Sequence, residues 1–291
     1  MKKAYVTIAA AAISVAILLG ATFASFHLTQ RPSADNENGA LLPDEDGGTL
    51  PPAPEPEAPD EKPLPPQEPE TDIPVVTIPK DQYVRSKVNG LNIRSAPSTS
   101  ASSLGYIDKG DMVLLKGKEG NWYETVYKNK PAYVSAGSSY TELFELETSP
   151  DSRVEAVIGE GYNLLGFPYV YGATRLHNGN GKFLSGFDKT KYDCSSLMQY
   201  MFYYGAGVNL ELTTRTQVSQ GTHVPRSELS RGDLIFFTNS TRYNKTGVER
   251  IGHVALYLGG NYILHTATDY AVIEEISAQR WSYYIETRRM I

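Results

Sequence analysis

The 291-residue chain contains a single cysteine, Cys194. One cysteine excludes an intramolecular disulfide framework. A zinc site is equally unsupported, because His177 and His223 have no cysteine or acidic partner at metal-ligand spacing. We therefore expect no metal and no other cofactor. The thiol allows two interpretations. A free cysteine usually behaves as a small hydrophobic core residue, but a free thiol in an exported protein is open to oxidation and needs a functional reason.

Charge is missing near the N-terminus, where residues 4–28 contain no Asp, Glu, Lys or Arg. This apolar run follows Lys2 and Lys3 and is long enough to cross a bilayer as a helix. The preceding lysines predict a cytoplasmic N-terminus and an external remainder. We expect residues 1–30 to be an uncleaved membrane anchor. A cleaved signal peptide is the alternative, although its apolar region is normally shorter. No cysteine follows the run, which excludes a lipoprotein anchor.

Aromatic residues are missing from residues 32–79, which carry twelve Asp or Glu residues against one lysine. The proline-rich stretch PPAPEPEAPDEKPLPPQEPETDIP is typical of the segment. Such a composition cannot bury enough apolar surface to fold, and its prolines and like charges favour an extended chain. We expect residues 31–80 to be a disordered linker that spaces a folded part from the membrane.

A strongly basic face is also missing. The net charge of the chain is −6, and residues 32–79 alone carry −11. The other residues therefore carry +5, of which Lys2, Lys3 and Arg31 supply three. A folded part near +2 lacks the electrostatic footprint of a nucleic-acid-binding protein, so nucleic acid is not an expected partner.

Short strands and turns dominate residues 81–148. The segments YVRSK, LNIRS, MVLLKGK, NWYETVY and PAYVSA alternate in polarity or are rich in β-branched and aromatic residues. Turn signals such as Asn89-Gly90 and Lys109-Gly110 separate them. Five short strands in so few residues predict a small all-β barrel. The order and spacing of LNIRSAPSTSASSLGYIDKGDMVLL, NWYETVY and AYVS resemble a bacterial SH3 (SH3b) domain, which implies binding to peptidoglycan or its peptides.

Residues 149–291 begin with helical patterns and continue with strands. The stretch SSLMQYMFYY places Leu197, Met198, Met201 and Phe202 on one helical face, and Asp193 is well placed as its N-cap. Cys194 then lies in the first helical turn, where free N–H groups and the macrodipole favour an anion. The position predicts a thiol with a lowered pKa.

A hairpin is predicted within IGHVALYLGGNYILHTA, at Gly259-Gly260-Asn261. His253 and His265 lie on its two arms. A three-residue loop puts both histidines on one face, whereas a two-residue turn at Gly260-Asn261 puts them on opposite faces unless a bulge restores the register. On one face, one histidine can serve a nearby thiol and the second can orient the first.

Five motifs in this order resemble the NlpC/P60 family of papain-like cysteine peptidases: PYVYGA, YDCSSL, RGDLIFF, GHVALYLG and YILHTA. The resemblance implies an α+β papain-like catalytic domain behind the SH3b barrel. It also implies Cys194 as nucleophile, His253 as general base and acid, His265 as orienting residue and Tyr169 as a contributor to the oxyanion hole. Tyr169 is alternatively a core residue, because buried tyrosines commonly pack and hydrogen-bond at once.

The implied substrate is the peptidoglycan stem peptide, cut at the bond between D-glutamate and the diamino acid. A muramoyl–L-alanine amidase and a catalytically inactive wall-binding adaptor are the alternatives. In some members of the family that carry an SH3b domain before the catalytic domain, the SH3b domain closes one end of the cleft. The same layout here, with Asp193 and Ser195 at positions that match the family's substrate pocket, implies a preference for peptides with a free amino terminus. The sequence departs from the family at Ala173 and Ser196, where glycine is usual, and in the long segment 174–192. The protein is expected at a bacterial cell surface, or secreted if its N-terminal segment is cleaved; the sequence leaves its oligomeric state open.

Overall fold

The computed structural model describes residues 78–291. The predicted N-terminal membrane or signal helix and residues 31–77 of the predicted linker fall outside this range. The last residue assigned to the linker, Lys80, belongs to a strand. Within residues 78–291, no helix has both the length and the apolar character needed to cross a bilayer.

The N-terminal part of the described chain is entirely β-structure. Its strands are β1 (Lys80–Ser86), β2 (Leu91–Arg94), β3 (Ser103–Ile107), β4 (Met112–Leu114), β5 (Gly117–Glu119), β6 (Trp122–Tyr127), β7 (Lys130–Ser135) and β8 (Thr141–Glu147). Strands β3, β2, β7, β6 and β5 form one five-stranded sheet in that order. The sequence patterns predicted five strands, one of which, MVLLKGK, covers β4 and reaches β5, and missed β3 and β8. Few residues of the two missed strands are buried: only Ile107 in β3, and only Thr141 and Leu146 in β8.

The C-terminal part combines helices with a second set of strands. Its helices are α1 (Ser152–Leu164), α2 (Cys194–Ala206), α3 (Thr214–Gln217) and α4 (Ala278–Ser282). Its strands are β9 (Thr222–His223), β10 (Leu234–Phe237), β11 (His253–Gly259), β12 (Tyr262–Thr266), β13 (Ala271–Glu275) and β14 (Tyr284–Arg289). Two short 3-10 helices span Arg226–Glu228 and Gly247–Arg250. This mixture of helices and sheets confirms the α+β class.

One nine-stranded sheet runs through both parts, in the order β8-β1-β4-β13-β12-β11-β10-β14-β9. The junction is the antiparallel pairing of Met112 in β4 with Ile273 in β13. Both side chains are buried, with at most 1% of their surface exposed. Strand β13 is therefore held by a strand of the barrel on one side and by β12 on the other.

Helices α1 and α2 cross closely. The predicted apolar face of α2 is confirmed, since Leu197, Met198, Met201 and Phe202 are fully buried. At the crossing, a Cβ on Gly205 would lie 2.5 Å from the backbone of Val157. Only glycine allows this approach. Helix α2 also packs against β11 and β12.

A polar cluster ties the barrel to the helical part. Arg231, whose side chain is only 6% exposed, donates from Nε to Glu155 of α1 at 2.7 Å and from Nη2 to Asp81 of β1 at 2.7 Å. The Tyr162 hydroxyl donates to the same Asp81 carboxylate at 2.9 Å. Arg231 therefore has a structural role, because its buried guanidinium links β1 to α1.

Candidate active site

The N-terminus of α2 is closed by a capping box. Asp193 Oδ1 accepts from the Ser196 backbone N–H at 2.9 Å, and Ser196 Oγ accepts from the Asp193 backbone N–H at 2.9 Å. The predicted N-cap role of Asp193 is thus confirmed. Serine at position 196 supplies the reciprocal bond that the more usual glycine lacks a side chain to make.

Cys194 is the first residue of α2 and is 8% exposed. Burial, reinforced by the negative charge of Asp193, raises the pKa of the Cys194 thiol to about 12. The backbone N–H groups of Val254 and Ser195 oppose this rise but do not overcome it. The prediction of a lowered thiol pKa is therefore wrong for this resting conformation: desolvation outweighs the stabilisation that a helix N-terminus gives to an anion.

The hairpin of β11 and β12 brings the two histidines together through a bulge. Leu256 pairs with Leu264 and Tyr257 with Ile263, and the register then shifts so that Gly259 pairs with Tyr262. The turn is the two-residue Gly260-Asn261, with positive φ at both positions, as a type I′ turn requires. The extra residue, Leu258, restores the register that a three-residue loop would give.

On the shared face, His253 Nε2 lies 2.9 Å from His265 Nδ1. Both rings are buried, at 8% and 1% exposure. Burial and the neighbouring His265 and Arg280 hold the pKa of His253 well below its ordinary value of 6.5. Burial also lowers the pKa of His265, although hydrogen bonding to Glu274 opposes that change. Both histidines are therefore neutral at neutral pH.

Behind His265 lies a carboxylate that the sequence patterns did not reveal. His265 Nε2 is 2.9 Å from Glu274 Oε1, and Arg280 Nη2 donates to that same oxygen at 2.7 Å. Burial opposes ionisation of Glu274, but the bonds and charges of His265 and Arg280 prevail and lower its pKa to about 2. The sequence did not identify Glu274, because nothing in the adjacent Glu274-Glu275 pair indicates which of the two side chains faces His265.

Cys194 and His253 border one cleft without a hydrogen bond between them. In residues 78–291, no hydrogen bond joins the Cys194 sulfur to either histidine of the hairpin. A cavity of about 440 Å³ opens over Cys194 and one of about 390 Å³ opens over His253. Tyr169, Asn239 and Gly252 line both cavities. The two cavities therefore form neighbouring parts of a single cleft.

Tyr169 lies between these two cavities and is half-buried. Its backbone N–H donates to the Asp269 carbonyl at 2.9 Å, which holds the PYVYGA segment next to the end of β12. Burial and the proximity of Cys194 and Asp193 raise the pKa of the Tyr169 hydroxyl. Tyr169 therefore keeps its proton at neutral pH and is able to donate a hydrogen bond into the cleft.

The segment 174–192 contributes a cation to the cleft that the sequence reasoning did not identify. Arg175 Nη1 donates to Asp193 Oδ1 at 2.5 Å, and the Ser195 hydroxyl donates to the same oxygen at 3.1 Å. Arg175, Asp193 and Ser195 all line the cavity over Cys194. His177, from the same segment, is buried against the Leu210 carbonyl and has a structural role.

A buried thiol and two hydrogen-bonded histidines at one cleft are the kinds of group that cysteine hydrolases use. Comparison with known proteins agrees with this class. Residues 166–289 match the model of the NlpC/P60 family, and residues 89–141 match that of the bacterial SH3 domain. These two matches confirm the resemblance of residues 166–289 and 89–141 to the two families that was found in the sequence.

Three curated relatives are similar to parts of the chain. The peptidoglycan endopeptidase RipB of Mycobacterium tuberculosis is 36% identical over 114 residues, which are 39% of this chain and 43% of RipB. RipA of Mycolicibacterium smegmatis is 35% identical over 38% of this chain and 20% of RipA. The gamma-DL-glutamyl hydrolase of Bacillus subtilis is 28% identical over 60% of this chain and 38% of that protein. The matches span less than half the length of each relative.

Proposed function

We propose that the protein is a cysteine endopeptidase that hydrolyses peptidoglycan stem peptides at the bond between γ-D-glutamate and the diamino acid. The observation that carries the proposal is His253, which is hydrogen-bonded to His265 and lines the same cleft as the only cysteine. The names of the relatives, peptidoglycan endopeptidase and gamma-DL-glutamyl hydrolase, support the substrate class and the bond.

Cys194 is the proposed nucleophile and His253 the general base. The Cys194 thiol gives its proton to His253 Nδ1 as the sulfur attacks the carbonyl carbon of the scissile amide. The resulting oxyanion is held by the Cys194 backbone N–H and the Tyr169 hydroxyl, two donors of the kind that stabilise tetrahedral intermediates. His253 then protonates the leaving amine, and water releases the acyl group from the sulfur by the reverse of the same proton transfers.

The resting site holds a neutral thiol and a neutral imidazole. Burial raises the pKa of Cys194 and lowers that of His253, so an ion pair between them is disfavoured before substrate binds. Proton transfer therefore accompanies the attack on the carbonyl, as in general-base catalysis. A substrate in the cleft brings Cys194 and His253 within hydrogen-bond distance, because catalytic contacts are often loose in a free enzyme.

Asp193 and Ser195 are the proposed substrate contacts in the cavity over Cys194. Asp193 Oδ1 is already satisfied by Arg175, Ser195 and the Ser196 N–H. The positive charge of Arg175 offsets the carboxylate, which reduces its attraction for a free substrate ammonium. An adjoining cavity shares Ala267, Thr268 and Arg280 with the cavity over His253 and is also lined by Asp108, Lys109 and Asp111 of the barrel. The pairing of Asp193 with Arg175 favours a cleft that also accepts stem peptides still linked to glycan.

The proposed domain limits are 81–148 for the SH3b domain and 149–291 for the catalytic domain, after an anchor at 1–30 and a linker at 31–80. The SH3b domain is the proposed wall-binding module. Attachment to the membrane through residues 4–28 would place the catalytic domain outside the cell, next to its substrate.

A defined peptide tests this function. Purified protein is incubated with L-Ala-γ-D-Glu-diamino acid, and the products are separated by liquid chromatography. We expect the free diamino acid and the dipeptide L-Ala-D-Glu from the wild type, and neither from Cys194→Ala. The absence of cleavage by the wild type, or equal cleavage by the variant, would contradict the proposal.

A further inference from the structure

The strand that joins the barrel to the catalytic part, β13, also carries a carboxylate directed at His265. In the pairing of β12 with β13, Ile263 lies opposite Glu274 and His265 opposite Val272. Glu274 is therefore two positions from the partner of His265 and lies on the same face of the sheet. Arg280 reaches Glu274 from α4. Together these contacts form a line of hydrogen bonds from His253 through His265 to Glu274 and Arg280.

We infer that Glu274 and Arg280 are positioning residues for the hydrolysis, which set the tautomers of both histidines and stabilise the positive charge that develops on His253. The effect of Glu274 and Arg280 on hydrolysis rests on the proposed function. The tautomers of His253 and His265 follow from their hydrogen bonds alone.

The tautomers follow from which atoms are able to donate. The guanidinium of Arg280 only donates, and an ionised Glu274 carboxylate only accepts. The proton between Glu274 and His265 is therefore on His265 Nε2. A neutral imidazole carries one proton, so His265 Nδ1 is an acceptor, and the proton between the two rings is on His253 Nε2. His253 Nδ1 then holds the lone pair, which is the arrangement required for a base that takes the thiol proton.

The two charges act on the imidazolium in opposite directions. Glu274 is closer in the line of hydrogen bonds and favours a positive charge on the histidines, whereas Arg280 disfavours it. The positive charge of Arg280 also stabilises the negative charge of Glu274 and so keeps this partly buried carboxylate ionised. The pair thus sets how strong a base His253 is. Glu274 lines neither the cavity over Cys194 nor that over His253, whereas Arg280 also lines the cavity over His253.

The test uses Glu274→Gln and Arg280→Gln in the full chain, with Glu275→Gln as the matched control. Glu275 is the adjacent residue, is exposed, and accepts only from Asn261. For Glu274→Gln we expect kcat to fall roughly 10–100-fold with KM nearly unchanged, a loss similar to that found when a carboxylate behind a metal-bound histidine is removed. The acid limb of the kcat/KM profile should move to lower pH in Glu274→Gln and to higher pH in Arg280→Gln. Glu275→Gln should change neither quantity.

A second readout does not depend on activity. Nitrogen-15 NMR of the histidine rings of the wild type should show His265 and His253 both protonated on Nε2 at neutral pH. Protonation of His265 on Nδ1 in the wild type would overturn the inference, whatever the activity. If Glu274→Gln had the same kinetics as the wild type, the inference would be overturned and the proposed function would stand. If the wild type cleaved no peptide, the proposed function would be contradicted, and the NMR measurement of the tautomers would decide this inference.

Discussion

Replacement of Arg231 by methionine should destabilise the protein by about 2–3 kcal/mol. Arg231 is the cation between Asp81 and Glu155, and it also donates to the Leu258 carbonyl at 3.0 Å. Methionine fills a similar volume but leaves two neighbouring carboxylates without a cation. Breaking a buried ion pair costs roughly 3–5 kcal/mol. The two carboxylates are 29% and 26% exposed, so water recovers part of that cost.

Equilibrium unfolding in urea, followed by tryptophan fluorescence, measures this loss. Arg153→Met is the control, because Arg153 pairs with Asp151 at the surface and its side chain is 63% exposed. A surface pair of this kind contributes less than about 1 kcal/mol. Arg231 would not hold the barrel to the helical part if the free energy of unfolding of Arg231→Met were within about 0.5 kcal/mol of the wild-type value. The same would follow if it were no smaller than that of Arg153→Met.

Three further predictions concern the site and its surroundings. His253→Ala should lose at least about 10³-fold in kcat, whereas His265→Asn should retain more activity because an amide oxygen can still accept from His253; equal losses would show that His265 does more than orient. Burial and nearby Glu274 and Asp108 raise the pKa of Asp111 from its ordinary 3.8 to about 7, so the wild type should lose stability as the pH rises through that interval. Asp111→Asn should then be more stable than the wild type by at least about 1 kcal/mol at pH 8 but not at pH 4, and urea midpoints that do not change with pH would contradict this. Because Arg175 already pairs with Asp193, N-acetylation of the tripeptide should slow cleavage less than about tenfold, and a larger loss would restore the predicted free-amine preference.

The helical part of the site was readable from sequence because its signals are local. The N-cap at Asp193 and the apolar face of α2 depend on residues within a few positions of each other. Local signals also identified the hairpin, through its turn residues, and the two histidines on its arms. The turn itself was less certain, since one inserted residue at Leu258 decides whether His253 and His265 share a face.

Long-range features were not readable in the same way. The partnership of Glu274 with His265 depends on the register of β13, and that register is fixed partly by Met112 from the barrel. The raised pKa of Cys194 depends on how deeply the cleft is packed, which a helix-start signal does not report. Arg175 reaches Asp193 only because the segment 174–192 folds back over α2.

The central claim is that Cys194 cleaves the peptidoglycan stem peptide after γ-D-glutamate. Mass spectrometry of muropeptides from purified peptidoglycan, digested by the wild type and by Cys194→Ala, tests it most directly. We expect products with a new amino terminus on the diamino acid for the wild type and undigested muropeptides for the variant. A new amino terminus on L-alanine would instead identify a muramoyl–L-alanine amidase. Wild-type products that match those of Cys194→Ala would contradict the catalytic role of the thiol and favour a wall-binding adaptor.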